Sequence, residues 1–264
     1  MYDFDYQRPT DEKAAVAAFK GDARYLAGGQ SLVQAMRLRL ASSERLVDLG
    51  AIAGLKGIRA GGGTVTVGAM TTHAAVAASP EVRQAIPALA QLAGWIGDPS
   101  VRNMGTLGGS IANADPAADY PAALLALAAT VQTDRRTIAA DQFFTGLYET
   151  ALQPGELITA VSFPVPQAGG YEKYRNPASR FALVGVFVAK TAAGVRVAVT
   201  GAKSHVFRSA ELEAALTRSF TPEAAKAVRL SPADMNADLH ASQDYRAAMV
   251  SVMASRAVAA ALVR

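Results

Sequence analysis

Along this chain apolar residues recur first at helical and then at strand spacing, and the switches between the two mark out its elements. Pro9-Thr10-Asp11-Glu12 reads as a helix start, with Thr10 as N-cap and two acids in the first turn. That helix runs to about Phe19, and Gly21 ends it. Arg24–Ala27 is a short strand, Ser31 opens a helix whose Leu32, Val33, Met36 and Leu40 share one face, and Arg45–Asp48 is the next strand. A hairpin follows, in which Gly57–Ala60 and Thr64–Gly68 alternate across Gly61-Gly62-Gly63. Thr71 or Thr72 caps a short helix, Ser79-Pro80-Glu81 starts a longer one, and Pro87 splits the longer one in two. Gly97 to Ser110 is a polar, glycine-rich passage too long for an ordinary tight connection, and Asp119-Tyr120-Pro121 leads into an apolar helix over Ala122–Ala129.

The pattern changes near residue 165, where Pro164, Pro166 and Gly169-Gly170 form a boundary or a loop tip. Three strand-like runs follow, Tyr171–Arg175, Leu183–Lys190 and Val195–Gly201, and then three helical stretches, Ser209–Leu216, Pro222–Val228 and Tyr245–Val263. Strands followed by helices without alternation predict a separate α+β unit. The predicted division is therefore 1–54, 55–165 and 166–264.

Two glycine-rich turns stand out, Ala27-Gly28-Gly29-Gln30-Ser31 and Thr106-Leu107-Gly108-Gly109-Ser110. Neither matches a triphosphate-binding or Rossmann pattern. Paired glycines let backbone N–H groups approach an anion with no Cβ in the way, and a following helix adds its unpaired amides and dipole. Two such turns suit the two ends of a pyrophosphate, so a valine at Gly28 or Gly108 is expected to stand against it. Charge-assisted hydrogen bonds of about 1.5–3 kcal/mol each make four or five such donors enough for tight binding.

Composition narrows the chemistry. Among the 264 residues, hydrophobic types make up 51% and charged types 18%, which predicts a globular chain with ample core. The net charge is +4 and the 26 Lys and Arg are dispersed, which argues against nucleic acid. With no cysteine, the chain has no disulfide, no thiolate nucleophile and no iron–sulfur cluster on its own thiolates. His73, His205 and His240 are too far apart to form a metal-ligand motif. The N-terminus lacks the basic start and apolar run of a signal peptide, and no stretch reaches spanning length, so a cytoplasmic protein without a membrane span is expected.

The two turns, Val101-Arg102-Asn103 before the second of them, Asn113-Ala114-Asp115-Pro116-Ala117-Ala118-Asp119, Phe143-Phe144-Thr145-Gly146 and the strand after Gly155-Glu156 occur in an order that resembles the flavin subunit of the molybdenum hydroxylases. This is the medium subunit of carbon monoxide dehydrogenase-type and xanthine dehydrogenase-type enzymes, and the resemblance covers nearly the whole chain. It implies an α+β fold: a PCMH-type FAD-binding fold of two α/β subdomains, followed by a small α+β C-terminal domain with an antiparallel sheet and helices. By the same resemblance, Tyr25, Leu26, Ala27, Gly28, Gly29, Gln30, Ser31 and Leu32 would hold the FAD pyrophosphate. Thr106, Gly108, Gly109 and Ser110 would hold it from the second subdomain, with Arg102 and Ala112 beside them. Asp119 matches a carboxylate that accepts hydrogen bonds from the cofactor, and Ile96 with Leu157 or Ile158 matches apolar positions near its rings.

The implied function is electron transfer within a multi-subunit oxidoreductase. Substrate is oxidised at a molybdenum cofactor on a large subunit, and electrons pass through [2Fe-2S] clusters on a small subunit to FAD on this chain, then to an external acceptor. The implied assembly is a dimer of heterotrimers. A protein of this kind needs no nucleophile or metal of its own, because the cofactor carries the chemistry. Met104 stands where relatives often have Arg, and Leu183 where some carry a lysine near the flavin. Two other readings compete: a stand-alone flavin oxidoreductase of the same fold, and a non-catalytic nucleotide-binding module. Asp115 and Asp119 also suit helix N-caps, Trp95 suits a core position, Arg102 a solvated loop charge, and Tyr174 and Arg175 either strand packing or a partner surface.

Overall fold

In a computed structural model that describes residues 1–263, the chain builds three larger sheets in sequence order, packed with helices, and one two-stranded ribbon. The first unit runs β1 (Asp5–Gln7), α1 (Glu12–Ala18), β2 (Ala23–Leu26), α2 (Leu32–Arg37) and β3 (Arg45–Asp48), and its parallel sheet has the order β1-β3-β2. Asp11, one residue beyond the predicted Thr10, caps α1: its carboxylate accepts the Ala14 N–H at 2.8 Å from an extended backbone. A carboxylate also favours the positive end of the helix dipole, which a hydroxyl does not. The unpredicted β1 has only three residues, and its pairing is supplied by β3, forty residues away in sequence.

The second unit begins with the expected hairpin, β4 (Ile58–Gly61) and β5 (Thr64–Gly68). Helices α3 (His73–Ala78), α4 (Pro80–Ala85) and α5 (Pro87–Gly94) follow, with Thr72 as the cap of α3 and Pro87 opening α5 after the break at Ile86. The stretch from Gly97 to Ser110 is helical for most of its length, in α6 (Pro99–Met104) and the start of α7 (Leu107–Asn113). Asp98 caps α6 with Pro99 at its first position, and Thr106 caps α7. Next come α8 (Tyr120–Ala126), β6 (Thr130–Thr133), β7 (Thr137–Ala139), β8 (Phe144–Gly146), β9 (Glu149–Thr150) and β10 (Ile158–Pro164). The five-stranded antiparallel sheet has the order β4-β5-β10-β6-β7, so its last strand in sequence lies at its centre.

The third unit is an antiparallel sheet of β11 (Ala168–Arg175), β12 (Ala182–Thr191), β13 (Gly194–Thr200) and β14 (Phe207–Arg208), followed by α9 (Ala210–Arg218), α10 (Pro222–Ala227) and α11 (Gln243–Leu262). Alternation along β12 sends Val184, Val186 and Val188 into a cluster with Val250, Met253 and Ala254 of α11. Its opposite face sends Phe187 and Ala189 into the same core as Leu89, Leu124 and Phe163 of the second unit. The apolar interior is thus continuous across residue 165. Trp95 packs against this core, 6.2 Å from the Tyr171 ring. Tyr174 meets Tyr245 of α11 at 5.9 Å. No helix among the described residues is long and apolar enough to cross a membrane.

Candidate cofactor site

A cavity of ≈ 710 Å³ opens where the three units meet, and its walls carry both glycine turns. The first turn leaves β2 at the edge of the parallel sheet and runs into α2. Its backbone is open to a ligand: among the described residues, the N–H groups of Gly28, Gly29, Gln30 and Ser31 donate to no protein acceptor. Ser31 stands at the N-cap position of α2 and makes no side-chain cap. A row of unpaired amides at a turn is an anion cradle.

The second turn differs. Leu107 N–H is donated to Thr71 O at 3.1 Å, Gly108 N–H to Ala69 O at 2.8 Å, Gly109 N–H to the Thr106 hydroxyl at 3.1 Å and Ser110 N–H to Thr106 O at 3.0 Å. What this turn offers the cavity is therefore the hydroxyls of Thr106 and Ser110, and the Ser110 hydroxyl has no partner among the described residues. The glycines here also answer to packing. A Cβ on Gly108 would lie 2.7 Å from Ala69 Cβ, and one on Gly28 would lie 2.8 Å from Gly105 Cα and overlap the Met104 carbonyl. In both cases the added carbon would meet the neighbouring wall of the protein, which corrects the expectation that it would meet a pyrophosphate.

Of the residues expected at the site, Tyr25, Ala27–Leu32, Ile96, Thr106, Gly108–Ser110, Ala112, Asp119, Leu157 and Ile158 line this cavity, and Leu26 and Arg102 do not. Leu26 packs beneath the turn, with its Cδ1 3.6 Å from where a Cβ on Gly29 would be. The Arg102 guanidinium is turned back on the α5–α6 connection, donating to Ile96 O and Gly97 O, both at 3.0 Å. Tyr25 packs its ring at a tilt against Phe19, with centroids 4.6 Å apart, and donates its hydroxyl to Gly155 O at 3.0 Å, so it joins the first unit to the second. Burial pushes its phenol up to about 12.

Asp119 sits at the head of α8 but caps nothing. Its Oδ1 accepts the Tyr171 hydroxyl at 2.5 Å and pairs with Lys173 Nζ at 2.8 Å. Burial pushes its carboxyl up, against the pull of the ammonium. Asp115 accepts the Ala117 N–H and the Tyr148 hydroxyl. His73 also lines the cavity, with its ring 5.4 Å from that of Tyr120. Its Nδ1 and the Tyr120 hydroxyl are buried without a hydrogen-bond partner among the described residues. Desolvation, with the Arg102 charge nearby, drops the imidazole to about 4, so it is neutral at pH 7. At the far lip, Glu156 accepts two bonds from Arg136, and Arg180 and Phe181 of the β11–β12 loop overhang the opening. None of His73, Tyr148 or Glu156 was expected there, nor was Lys173 behind Asp119. Lys173 had a weak signal: it shares the phase of Tyr171, and both are buried on that face of the strand. No group of His, Asp and Glu among the described residues is arranged to hold a metal ion.

Two glycine turns from different units, one bearing free amides and the other hydroxyls, lie on one cavity, and the class this defines is an α+β protein whose cavity suits a dinucleotide. The family model for the FAD binding domain in molybdopterin dehydrogenase matches residues 2–166. The chain is 36% identical over 280 residues to the carbon monoxide dehydrogenase medium chain of Hydrogenophaga pseudoflava, covering 99% of this chain and 98% of that one. It is 37% identical over 251 residues to the nicotine 6-hydroxylase medium subunit of Paenarthrobacter nicotinovorans, covering 90% and 89%. The structure of reconstituted CO dehydrogenase from Oligotropha carboxidovorans superposes with a TM-score of 0.91 at 35% identity, over 100% of this chain and 99% of that one. The chain belongs to the FAD-binding family of the molybdopterin dehydrogenases, and it is a medium-subunit flavoprotein of that oxidoreductase class.

Proposed function

We propose that this chain carries FAD between partner subunits of a molybdenum hydroxylase, receiving electrons from iron–sulfur clusters on a small subunit and passing them to an external acceptor. The observation that supports this best is the pairing of four free amides, Gly28 to Ser31, with the Thr106 and Ser110 hydroxyls on the walls of one cavity. That donor set fits a pyrophosphate, and Ile96, Leu157 and Ile158 provide apolar wall for the rings. FAD supplies the redox chemistry when bound. The chain's own residues bind and orient it: the first turn donates to the phosphates, the second holds the head of α7 against them, and Asp119 presents a carboxylate. The two cavity carboxylates Asp119 and Glu156 are paired with Lys173 and Arg136, and His73 is held neutral with its imidazole at about 4, which favours an electron-transfer subunit over a stand-alone oxidase.

On this reading the substrate is oxidised at a molybdenum cofactor on a large subunit, the complex is a dimer of heterotrimers, and it works in the cytoplasm. On the same reading the units are 1–54, 55–165 and 166–264, with the cofactor held chiefly between the first two. The test is the visible spectrum of the purified chain, alone and as a co-purified complex, after FAD addition and desalting. Flavin bands released as FAD on denaturation support the reading, and a complex that stays colourless overturns it.

A further inference from the structure

Lys173 lies in β11 with its side chain 1% exposed. An ammonium taken that far from water is tolerated only when its protons are all bound. Lys173 reaches three oxygens: Asp119 Oδ1 at 2.8 Å, Arg180 O at 2.9 Å and Trp95 O at 3.0 Å. These belong to the head of α8, the β11–β12 loop and the end of α5, and all three segments border the cavity, through Asp119, Arg180 and Ile96. Tyr171, two residues earlier on the same face, donates to the same Oδ1, and neither residue engages Oδ2. Arg246 shows what a purely structural counterpart looks like. It staples Leu183 O, Gly201 O and Asp238, none of which lines the cavity, and its carboxylate partner is 44% exposed. The Lys173 cluster has the reverse layout, with its carboxylate buried and on the wall of the site.

Resting on the FAD reading above, we propose that Lys173 is a positioning residue for the cofactor: with Tyr171 it clamps Oδ1 of Asp119, so that Oδ2 is presented as a carboxylate to a hydrogen-bond donor of the bound flavin. The titratable and charged groups facing Asp119 are Lys173 and Tyr171 from β11 and Tyr120 beside it on α8. Burial pushes the Asp119 carboxyl up and holds both tyrosines above their ordinary range, so of these groups Asp119 is the one that a fall in pH, here from about pH 8.5 to about pH 6, drives toward its neutral form.

The experiment is a titration of the full chain with FAD at those two pH values. It compares wild type, Lys173→Met, Tyr171→Phe and the double variant Lys173→Met/Asp119→Asn, with a melting temperature for each. Without its counter-charge Asp119 takes up a proton more readily, so Lys173→Met raises the Kd for FAD about tenfold or more near pH 6 and by less near pH 8.5. The double variant removes both charges and regains melting temperature, yet binds FAD weakly at both pH values. Tyr171→Phe keeps the charges and the ring but removes one bond to Oδ1, and gives a smaller loss with the same pH trend. A Lys173→Met Kd equal to wild type, a Kd raised by one factor at both pH values, or FAD binding restored with stability in the double variant overturns the proposal and leaves Lys173 a staple. Should Lys173→Met not fold, Tyr171→Phe decides: weaker FAD binding at unchanged melting temperature supports the clamp, and equal affinity overturns it. Where the wild-type chain alone takes up no FAD the titration is made on the co-purified complex, and a complex that takes up none removes the FAD reading and this proposal together.

Discussion

Gly28 and Met104 meet where the first unit touches the second, and the Met104 carbonyl fills the space a side chain on Gly28 would need. The glycine therefore seals a contact between two cavity walls, and the free amides that follow it depend on that contact. Gly28→Ala is expected to force the turn away from α6, at a cost of roughly 1–3 kcal/mol, and to weaken FAD binding as the amides are misaligned. Thermal unfolding with and without FAD checks this. An unchanged melting temperature would show that the walls separate freely.

Thr106 is the cap of α7 and carries one of the two hydroxyls of the second turn. Thr106→Val leaves the Gly109 N–H unpaired, which costs about 1 kcal/mol, and removes a hydroxyl from the site. Thr106→Ser keeps both roles. The serine variant is expected to match wild type in melting temperature and FAD affinity, and the valine variant to fall below it in both.

His73 is neutral in the fold, at about 4 against an ordinary 6.5. Between those values the unfolded chain takes up a proton that the folded chain refuses. Its contribution is therefore intact above pH 6.5 and declines as pH falls toward 4, by on the order of 3 kcal/mol. Urea titrations of wild type and His73→Asn across this window check the sign: the variant is expected to show the flatter profile.

Glu156 behaves in the opposite part of the scale. The Arg136 guanidinium, with help from the Gln153 N–H and the Thr133 hydroxyl, holds its carboxyl at about 2 against an ordinary 4.5. A depressed carboxylate stabilises the fold above its unfolded pKa, and that stabilisation is lost as pH falls through the folded value. Glu156→Gln is expected to melt below wild type at pH 7, and the gap is expected to narrow between pH 4.5 and 2. A constant gap would separate Glu156 from its ion pair.

Much of this architecture is legible because it is local. Arg45–Asp48 and Thr64–Gly68 are short runs rich in β-branched and apolar residues, and they form strands at those bounds. Ser79-Pro80 and Pro87 punctuate two helices through backbone chemistry that no tertiary contact needs to supply. Asp98-Pro99 carried the same kind of signal for α6, and its glycine-rich surroundings hid it. β8 and β9 were not legible, since two or three residues hold no period, and their pairing is set by the turn between them. At the site, the glycines show in sequence because their chemistry is in the backbone. Which amides remain free does not show, because Ala69 and Thr71 take two of the α7 donors from a distant loop. The Asp119–Lys173 pair does not show either: 54 positions separate two ordinary surface residue types that only the fold makes partners.

β10 is the middle strand of its sheet and the last of the five to leave the ribosome, since chains are made N-terminus first. Until residues 158–164 emerge, β5 and β6 each have an open edge with nothing between them, and such edges attract other chains. The nascent chain thus passes through a stage of more than twenty residues, from the end of β7 to the end of β10, in which the sheet has a seam down its centre. A fragment released before Ile158 retains that seam for good, and a chaperone that binds extended segments has its target there.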